Sequence, residues 1–279
     1  MRLTLIEQKE GKRRNRDFIM KERLLAFWKY RDLVKQLVQK NIKLKYRRSF
    51  LGYIWSVLNP LLVMIVMAVV FSTIFKRNIE NYPVYLFTGQ IMFNYMNQSS
   101  HQAISSITGN AALLKKTYVP KYIFTFAMIT SGLVDLLFSM GALLLVMIAT
   151  GATLSWYNLL FIFPVLQLYV FCVGLGMLLS ALNVFFRDIQ YIWNAITTAW
   201  LYATPIFYSL DQMNESGMVW VIKHLNPMYF YIGQFRDLLY YNRFPGTGIV
   251  FEGCITAILA MSIGTAVFWK KQDEFILYI

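Results

Sequence analysis

The stretch of sequence that decides the fold is residues 53–75, YIWSVLNPLLVMIVMAVVFSTIF. It contains 23 consecutive residues without a formally charged side chain. A helix needs roughly 20 apolar residues to cross a hydrocarbon core of about 30 Å, so this stretch predicts a membrane-spanning helix. It follows a long charged segment and is too long for the hydrophobic part of a cleavable signal peptide. We therefore expect it to be the first anchor of a membrane protein.

Five later stretches also have the length and composition of a membrane span. In chain order, the six predicted spans are residues 53–75, 84–107, 122–150, 159–182, 189–208 and 249–269. Between the last two, two short apolar stretches flank Asn226-Pro227 and predict two short helices. The sequence therefore predicts an all-α integral membrane protein, with residues 53–269 as its six-span transmembrane domain.

The composition supports a membrane protein. Of the 279 residues, 57% are hydrophobic and 15% are charged, whereas soluble domains carry about 25% charged residues. The net charge of +13 is concentrated in residues 1–53, which hold 16 Lys and Arg against 5 Asp and Glu. A charge confined to one terminal segment favours a cytoplasmic basic segment over a nucleic-acid-binding protein. We therefore expect no nucleic acid among the partners.

The distribution of Lys and Arg orients the predicted spans. With the N-terminus in the cytoplasm, the inner segments hold 22 Lys and Arg and the outer segments hold 5. Because cytoplasmic loops carry the excess of positive charge, this count predicts that both termini are cytoplasmic. Residues 270–279 then form a cytoplasmic tail. Lys76 and Arg77 lie on the outer side in this topology and are an exception to the rule.

The basic segment, residues 1–52, contains a predicted amphipathic helix at about residues 27–45. Its apolar residues recur at helical spacing: Phe27, Tyr30, Val34, Leu37, Val38 and Ile42. Lys and Gln side chains occupy the other side, as in a helix that lies in the membrane interface. Such a helix is either a membrane anchor or an element on which a partner pushes, and the sequence leaves both interpretations open.

Two polar features lie inside the predicted spans. The second span contains an unusual run of polar side chains: Asn94, Asn97, Gln98, Ser99, Ser100, His101 and Gln102. Hydrocarbon offers no hydrogen bonds, so these groups must face other helices or a wet cavity. Asp135 in the third span is either a functional residue or the partner of a neighbouring helix. Interhelical bonding and a polar pathway both remain open.

The sequence lacks the motifs of covalent chemistry. It has no Gly-rich loop ending in Gly-Lys-Ser/Thr, so we expect no ATP bound by this chain. His101 and His224 have no companion at metal-ligand spacing, and Cys172 and Cys254 lie in apolar runs. We expect no catalytic residue, metal or cofactor of its own. An alternative is a membrane-embedded enzyme of lipid-linked glycan synthesis, although Asp188 stands alone on the inner side rather than in a carboxylate cluster.

Short motifs recur in order along the chain. Residues 46–55 read YRRSFLGYIW before Asn59-Pro60, residues 113–121 read LLKKTYVPK, and residues 186–189 read FRDI; Thr204-Pro205-Ile206, Asn226-Pro227 and Phe235-Arg236-Asp237 follow. In this order and spacing, over residues 25–279, the chain resembles the permease subunit of ABC exporters for lipid-linked polysaccharides. That family includes the O-antigen, capsule and wall teichoic-acid exporters.

The resemblance implies a transport subunit rather than an enzyme. It implies a homodimer of permeases with two separate nucleotide-binding subunits, which bind the ATP and Mg. It further implies a lipid-linked glycan as substrate, contacts with membrane lipids, and a place in the cytoplasmic (inner) membrane of a bacterium. The two short helices between the fifth and sixth spans would be re-entrant. The nearest alternative is an ABC permease that exports a small amphiphile such as a drug.

The resemblance also assigns residues. Those implied to couple to the ATPase are Leu113, Leu114, Lys115, Lys116, Thr117, Tyr118, Pro120, Lys121, Arg187 and Asp188. Those implied to form an outer gate are Asn226, Pro227, Phe235 and Arg236. Those expected to line the translocation path are Phe93, Tyr95, Asn97, Gln98, His101, Trp193, Trp200 and Tyr202. The open alternatives are a basic loop that only fixes topology, a simple extracellular cap, and ordinary helix packing by the aromatic residues.

Overall fold

The computed structural model describes residues 28–46, 52–75, 79–210 and 217–279. All regular secondary structure in these ranges is helical, and they contain no β-strand. The first 27 residues of the predicted basic segment, residues 47–51 of the first motif, and the exceptional Lys76 and Arg77 lie outside the described residues.

The α-helices within the described ranges follow the predicted segments. They are α1 (Arg31–Tyr46), α2 (Trp55–Phe75), α3 (Tyr82–Ile104), α4 (Ala111–Lys116), α5 (Tyr122–Ala149), α6 (Ile162–Phe185), α7 (Ile189–Ala203), α8 (Gly217–Leu225), α9 (Pro227–Leu239), α10 (Thr247–Lys271) and α11 (Phe275–Tyr278). Single-turn 3₁₀ segments precede α2, α4 and α6. Each predicted span coincides with one long helix, and α8 and α9 occupy the predicted short helices.

Four of these helices are long and apolar enough to cross a membrane. They are α2, α5, α6 and α10, with α2 and α6 counted together with their preceding 3₁₀ turns. Helix α3 has 23 residues but carries the polar run, and α7 has only 15 residues. Helix α7 ends at Ala203, short of the predicted boundary at residue 208, because Pro205 disfavours helical geometry at Thr204, whose ψ is 133°.

Helix α3 lies at the centre of the bundle. It packs against α2, α5, α6, α7 and α9. Its buried side chains include Phe87 and Met92 in the first half and Ser99 and Ser100 in the polar run. The central position explains how a helix with this composition is accommodated, because much of its polar surface meets other helices instead of lipid.

The closest helix pair is α6 with α10. A Cβ atom added to Gly264 would overlap the backbone carbonyl of Gly174, and one added to Gly174 would overlap the backbone at Ala260. The two backbones therefore touch without an intervening side chain. Small residues at the contact allow this approach in membrane helices, where dispersion contacts stabilise the pair.

Helix α1 runs alongside α5 and supplies the partner of Asp135. The amide of Asn41 donates to the Ser131 hydroxyl at 3.3 Å, and Lys45 Nζ lies 2.8 Å from Asp135 Oδ2. Asp135 lies about 20 Å along α5 from its first residue, at a rise of 1.5 Å per residue. The predicted interface helix therefore packs lengthwise against α5, and Lys45 gives Asp135 an ion-pair partner on a neighbouring helix, which is one of the two options that the sequence left open.

Candidate translocation and coupling surfaces

Helix α7 is the least covered of the long helices around α3. Among its 15 residues only Trp193 and Thr197 are buried. Both face α3, where Trp193 Nε1 donates to Ser100 Oγ at 2.9 Å and Thr197 Oγ1 lies 3.4 Å from His101 Nε2. These polar contacts attach α7 to the polar run of α3 and leave most of its circumference uncovered.

The uncovered side of α7 carries a polar stripe. Gln190, Asn194 and Thr198 follow one another at four-residue spacing, which places them on one face of the helix, and all three are exposed. Tyr191 and Tyr202 are exposed nearby, at 71% and 65%. An exposed amide in hydrocarbon lacks hydrogen-bond partners, so this face is unsuited to lipid.

A second polar face lies on α3. Asn94 and Gln98 are exposed one turn apart, and Asn97 and His101 beside them are half-buried. Helix α3 contacts both α2 and α7; His101 faces α7, whereas Gln98 borders a cavity between α1, α2, α3 and α5. Of the residues expected to line a path, the structure therefore brings Asn97, Gln98, His101 and Tyr202 to an accessible or partly accessible surface.

The other aromatic residues expected in the path lie in the interior. Phe93, Tyr95 and Trp193 are buried, and Trp200 is half-buried. Tyr95 donates its hydroxyl proton to the Ile129 carbonyl of α5 at 3.4 Å, and the Trp200 ring meets the Phe171 ring of α6 edge to face at 6.4 Å. These two aromatic side chains therefore join helices.

Arg236, one of the predicted outer-gate residues, is the centre of a buried cluster of hydrogen bonds. This guanidinium is 6% exposed and stacks on the Tyr85 ring, with its Cζ atom 3.6 Å from the ring centroid. It donates to the carbonyls of Pro205 at 2.6 Å and Ile206 at 2.9 Å, and to both the carbonyl and the hydroxyl of Tyr85. The planar fork of Arg is suited to this geometry. Arg236 thereby joins α9 to α3 and to the turn that ends α7.

Asn226 makes a second connection between α7 and α9. Its side-chain oxygen accepts from the Met228 backbone at 3.0 Å, which caps α9, and from Trp200 Nε1 at 2.7 Å. Its amide donates to the Thr204 hydroxyl at 3.0 Å. Pro227 occupies the first position of α9, where a backbone N–H would have no partner within the helix. Phe235, farther along the same helix, is fully buried. The outer end of α7 and the start of α9 therefore form one bonded unit.

The segment predicted to couple to the ATPase contains a short helix, α4. Leu114 is buried and anchors it, whereas Leu113, Lys115 and Lys116 are exposed. Tyr118, in the extended stretch that follows, is 99% exposed. Thr117 is also exposed and Pro120 is half-buried at the approach to α5. The segment presents two cations, a leucine and a tyrosine on one uncovered projection.

Lys121 has a different environment from the other lysines of this segment. Its ammonium donates to the carbonyl of Gln272 and lies 5.7 Å from the Phe275 ring centroid. Burial lowers the pKa of Lys121 from its ordinary value, and the nearby Asp273 partly opposes this shift. Phe275 is fully buried and meets the Phe185 ring at 5.9 Å. The C-terminal tail therefore holds the end of the predicted coupling segment, a contact that the sequence did not reveal.

Arg187 and Asp188 are both exposed, between α6 and α7. Arg187 borders a cavity of about 300 Å³ together with Thr108 and Ala111, at the start of the coupling segment, and with Gln190 of the α7 stripe. The structure thus brings the two predicted ATPase contacts to the same end of the bundle. It also places the base of the α7 stripe beside them.

Metal-ligating groups do not cluster in the part of the chain that the structure describes. No group of three His, Cys, Asp or Glu side chains there could hold a metal ion. Cys172 is buried and Cys254 is half-buried, and both are free thiols. The Cys254 sulfur accepts from the Gln167 amide at 3.1 Å.

Comparison with known proteins identifies the class of this helical membrane protein. The family model described as ABC-2 type transporter matches residues 32–240. The chain belongs to this family.

Its relatives include permeases of polysaccharide export. The chain is 29% identical over 248 residues to the O-antigen export system permease protein RfbA of Myxococcus xanthus, covering 89% of this chain and 95% of that protein. It is 28% identical over 246 residues to the RfbA protein of Klebsiella pneumoniae, covering 88% and 93%. It is 21% identical over 252 residues to the polysialic acid transport protein KpsM of Escherichia coli, covering 86% and 93%.

Proposed function

We propose that this chain is the transmembrane subunit of an ATP-driven exporter that moves a lipid-linked polysaccharide across the cytoplasmic membrane of a bacterium. Its relatives are named as an O-antigen export permease and a polysialic acid transport protein, and the similarity extends over most of both chains. Glycans of the O-antigen, capsule and teichoic-acid type are the substrates that we consider. The chain acts as a homodimer with two ATPase subunits, which bind the ATP and Mg and supply all of the energy.

The observation that carries this proposal is the exposed polar face of α7, together with the exposed amide of Asn94 on α3. Gln190 and Asn194 are exposed on α7, and all three residues belong to a membrane-embedded bundle. Such groups need water, a ligand or another protein surface as their neighbour. A glycan carries many hydroxyl groups, each of which donates and accepts hydrogen bonds. A path along this face, between two copies of the chain, therefore satisfies the exposed amides.

The topology proposed here has six spans and cytoplasmic termini. Helix α3 is long enough to cross a core of about 30 Å, because its 23 residues extend about 34 Å. Helix α7 extends only about 22 Å, and the bonded Thr204–Ile206 turn continues it toward α9. Helices α8 and α9 then dip into the outer leaflet as re-entrant elements, and their buried polar contacts with α7 support this arrangement.

The bonded contacts suggest how ATP binding opens the path. The ATPase pushes on the exposed projection of α4, with Lys115, Lys116 and Tyr118 as its contacts. Arg187, which borders the same cavity as the start of that segment, transmits the movement to the base of α7. Because Asn226 and Arg236 join the far end of α7 to α9, the movement reaches the outer gate. The glycan then passes from the cytoplasmic leaflet to the outer side.

The experiment that tests this proposal is purification from mild detergent followed by reconstitution. We expect equal amounts of this chain and an ATP-binding subunit, identified by mass spectrometry, and ATP-dependent transport of a lipid-linked glycan into inverted vesicles. Transport of a fluorescent amphiphile without glycan transport would favour a small-amphiphile permease. Recovery of this chain without an ATPase, even after cross-linking, would contradict the proposal and favour an enzyme or structural role.

A further inference from the structure

A polar cavity lies between α1, α2, α3 and α5, away from the exposed face of α7. It has a volume of about 300 Å³ and is partly open. Its polar lining consists of Lys45, Ser56, Asn59, Gln98, Asp135 and Ser139. This volume is at the lower end of the range for small-ligand sites. The cavity is therefore large enough for one small polar unit.

The described lining of this cavity contributes one cation and one anion, and these two groups pair with each other. Lys45 Nζ and Asp135 Oδ2 lie 2.8 Å apart, and the Asp135 side chain is only 18% exposed. A phosphate or an anionic headgroup would need a cation whose charge is not neutralised by so close a carboxylate. The cavity is thus suited to an uncharged ligand, although its wall is strongly polar.

The remaining polar groups have hydrogen-bonding capacity to offer. The amides of Asn59 and Gln98 are exposed, and within the described part of the chain no hydrogen bond occupies either of them. Ser139 donates its proton to the Asp135 carbonyl at 3.0 Å, so its oxygen still accepts. An amide both donates and accepts. Together these groups match a ligand whose own groups both donate and accept, as hydroxyl groups do.

Trp55 adds an apolar surface to the same cavity. It is 39% exposed, so its indole face is accessible to a ligand. The faces of a pyranose ring are formed by C–H groups and can pack on a flat aromatic surface, while the ring hydroxyls point outward to polar partners. One indole, two amides, hydroxyl oxygens and a neutralised ion pair therefore provide complementary contacts for a sugar.

We propose that this cavity is a saccharide subsite that binds one uncharged pyranose unit of the transported glycan. The inference rests on the proposed function and deepens it, because it locates a specificity-determining contact outside the α7 face. Lys45 and Asp135 hold the floor of the subsite, Asn59 and Gln98 bind ring hydroxyls, and Trp55 covers one face of the ring. Because Lys45 belongs to α1, occupancy of the subsite also stabilises the contact between α1 and α5.

Saturation-transfer NMR tests the subsite directly. The full chain in lipid nanodiscs is mixed in turn with the methyl pyranosides of glucose, mannose, galactose and N-acetylglucosamine, and at least one is expected to receive saturation. Replacing both amides, Asn59→Leu with Gln98→Leu, should lower the transfer about tenfold through the loss of two hydrogen-bonding groups. Gln39→Leu is the matched control, because this exposed amide lies on α1, which borders the cavity, but is outside the cavity lining.

The possible outcomes distinguish a failure of the proposed subsite from a failure of the proposed export function. No transfer from any glycoside to the wild-type chain, or equal transfer to the double variant, overturns the subsite. Equal loss in Gln39→Leu shows that the loss of binding does not depend on the cavity lining and also overturns it. A phospholipid that co-purifies with the wild type but not with the double variant, without glycoside binding, assigns the cavity to lipid. Glycan export is scored separately: export without glycoside binding rejects only the subsite, whereas glycoside binding without export rejects the proposed function.

Discussion

Helices α10 and α7 are both packed against α6, but their uncovered surfaces differ in polarity. Helix α10 contacts α6 backbone to backbone, and its exposed side is apolar, with Phe251, Ile258 and Ile263. Helix α7 is attached through a few side chains, and its exposed side carries the amide of Asn194 beside the apolar Ile192. The apolar surface is compatible with lipid, whereas the exposed amide needs a polar neighbour.

This difference distinguishes the closely packed α6–α10 pair from α7, whose exposed polar side chains need a further polar neighbour. The α6–α10 pair gains its stability from close packing, which cannot be shifted without overlap. Helix α7 is held by the Trp200–Asn226 hydrogen bond near its outer end and by Trp193 and Thr197 closer to its start. Such a helix can tilt while the bond near its outer end persists. We therefore assign the moving, path-forming role to α7 and the supporting role to α6 and α10.

The largest expected effect is on the stability of the α6–α10 helix pair. Gly264→Leu should lower the free energy of unfolding by about 4 kcal/mol or more, because the new side chain overlaps the Gly174 backbone. The measurement is folded yield by size-exclusion chromatography together with thermal unfolding in detergent. Gly141→Leu is the control, since a Cβ there meets nothing within 4 Å. Equal yields for the two variants would contradict the close-packed description.

The second-largest effect is expected at the hydrogen-bonded connection that Arg236 makes between α9 and the end of α7. Arg236→Lys should lower the free energy of unfolding by about 2 kcal/mol, because a lysine cannot reproduce the fork that bonds Pro205, Ile206 and Tyr85. Protease sensitivity of the outer segment should rise in parallel. Arg243→Lys, at an exposed cation paired with Asp237, is the matched control and should change neither quantity. A similar response in both variants would contradict the assignment of Arg236 as the connection between α7 and α9.

A smaller effect is expected at the predicted coupling projection. Reversing both charges, Lys115→Glu with Lys116→Glu, should reduce glycan export about tenfold, corresponding to roughly 1.4 kcal/mol. The chain should still fold, because both side chains are exposed. The assay compares export with ATP hydrolysis in the reconstituted complex, and hydrolysis should continue without export. Lys270→Glu, at an exposed lysine of α10, serves as the control. Normal export in the double variant would remove the coupling assignment.

The smallest effect tests whether the exposed faces of α7 and α10 have different surroundings. Asn194→Leu on α7 should leave the free energy of unfolding within about 0.5 kcal/mol, since the side chain is exposed, while export falls severalfold. Ile258→Asn on α10 should do the reverse, lowering insertion because an amide then faces lipid. Insertion is read from membrane fractions and export from the vesicle assay. The same response at both positions would mean that the two faces have the same surroundings.

The main helices were predictable from sequence because they depend on local composition. A charge-free stretch such as residues 53–75 predicts a helix, and Pro227 after Asn226 indicates the start of α9. The fifth predicted span extended too far, because its hydropathy continues past Thr204 while the backbone restriction from Pro205 ends the helix.

The bonds that organise the candidate site were less predictable because they join distant residues. Lys45 and Asp135 are separated by 90 positions, and Lys121 meets the tail at Gln272. Arg236 lies in a segment that reads as an outer loop, where an arginine is ordinarily exposed, so nothing in its neighbourhood indicates burial against Tyr85. The aromatic residues expected in the path carry no sequence feature that separates packing from lining.

Spin labelling at residue 194 tests the central claim most directly. Cys254 is replaced by Ala, the buried Cys172 is retained, and a label is attached at Asn194→Cys or Ile258→Cys in the ATPase-bound complex. We predict that the label at 194 collides with a water-soluble nickel chelate, or couples to the label of a second copy, while the label at 258 collides with oxygen dissolved in the lipid. An oxygen-accessible label at 194, with neither chelate contact nor coupling, would place the α7 face in lipid and contradict the account.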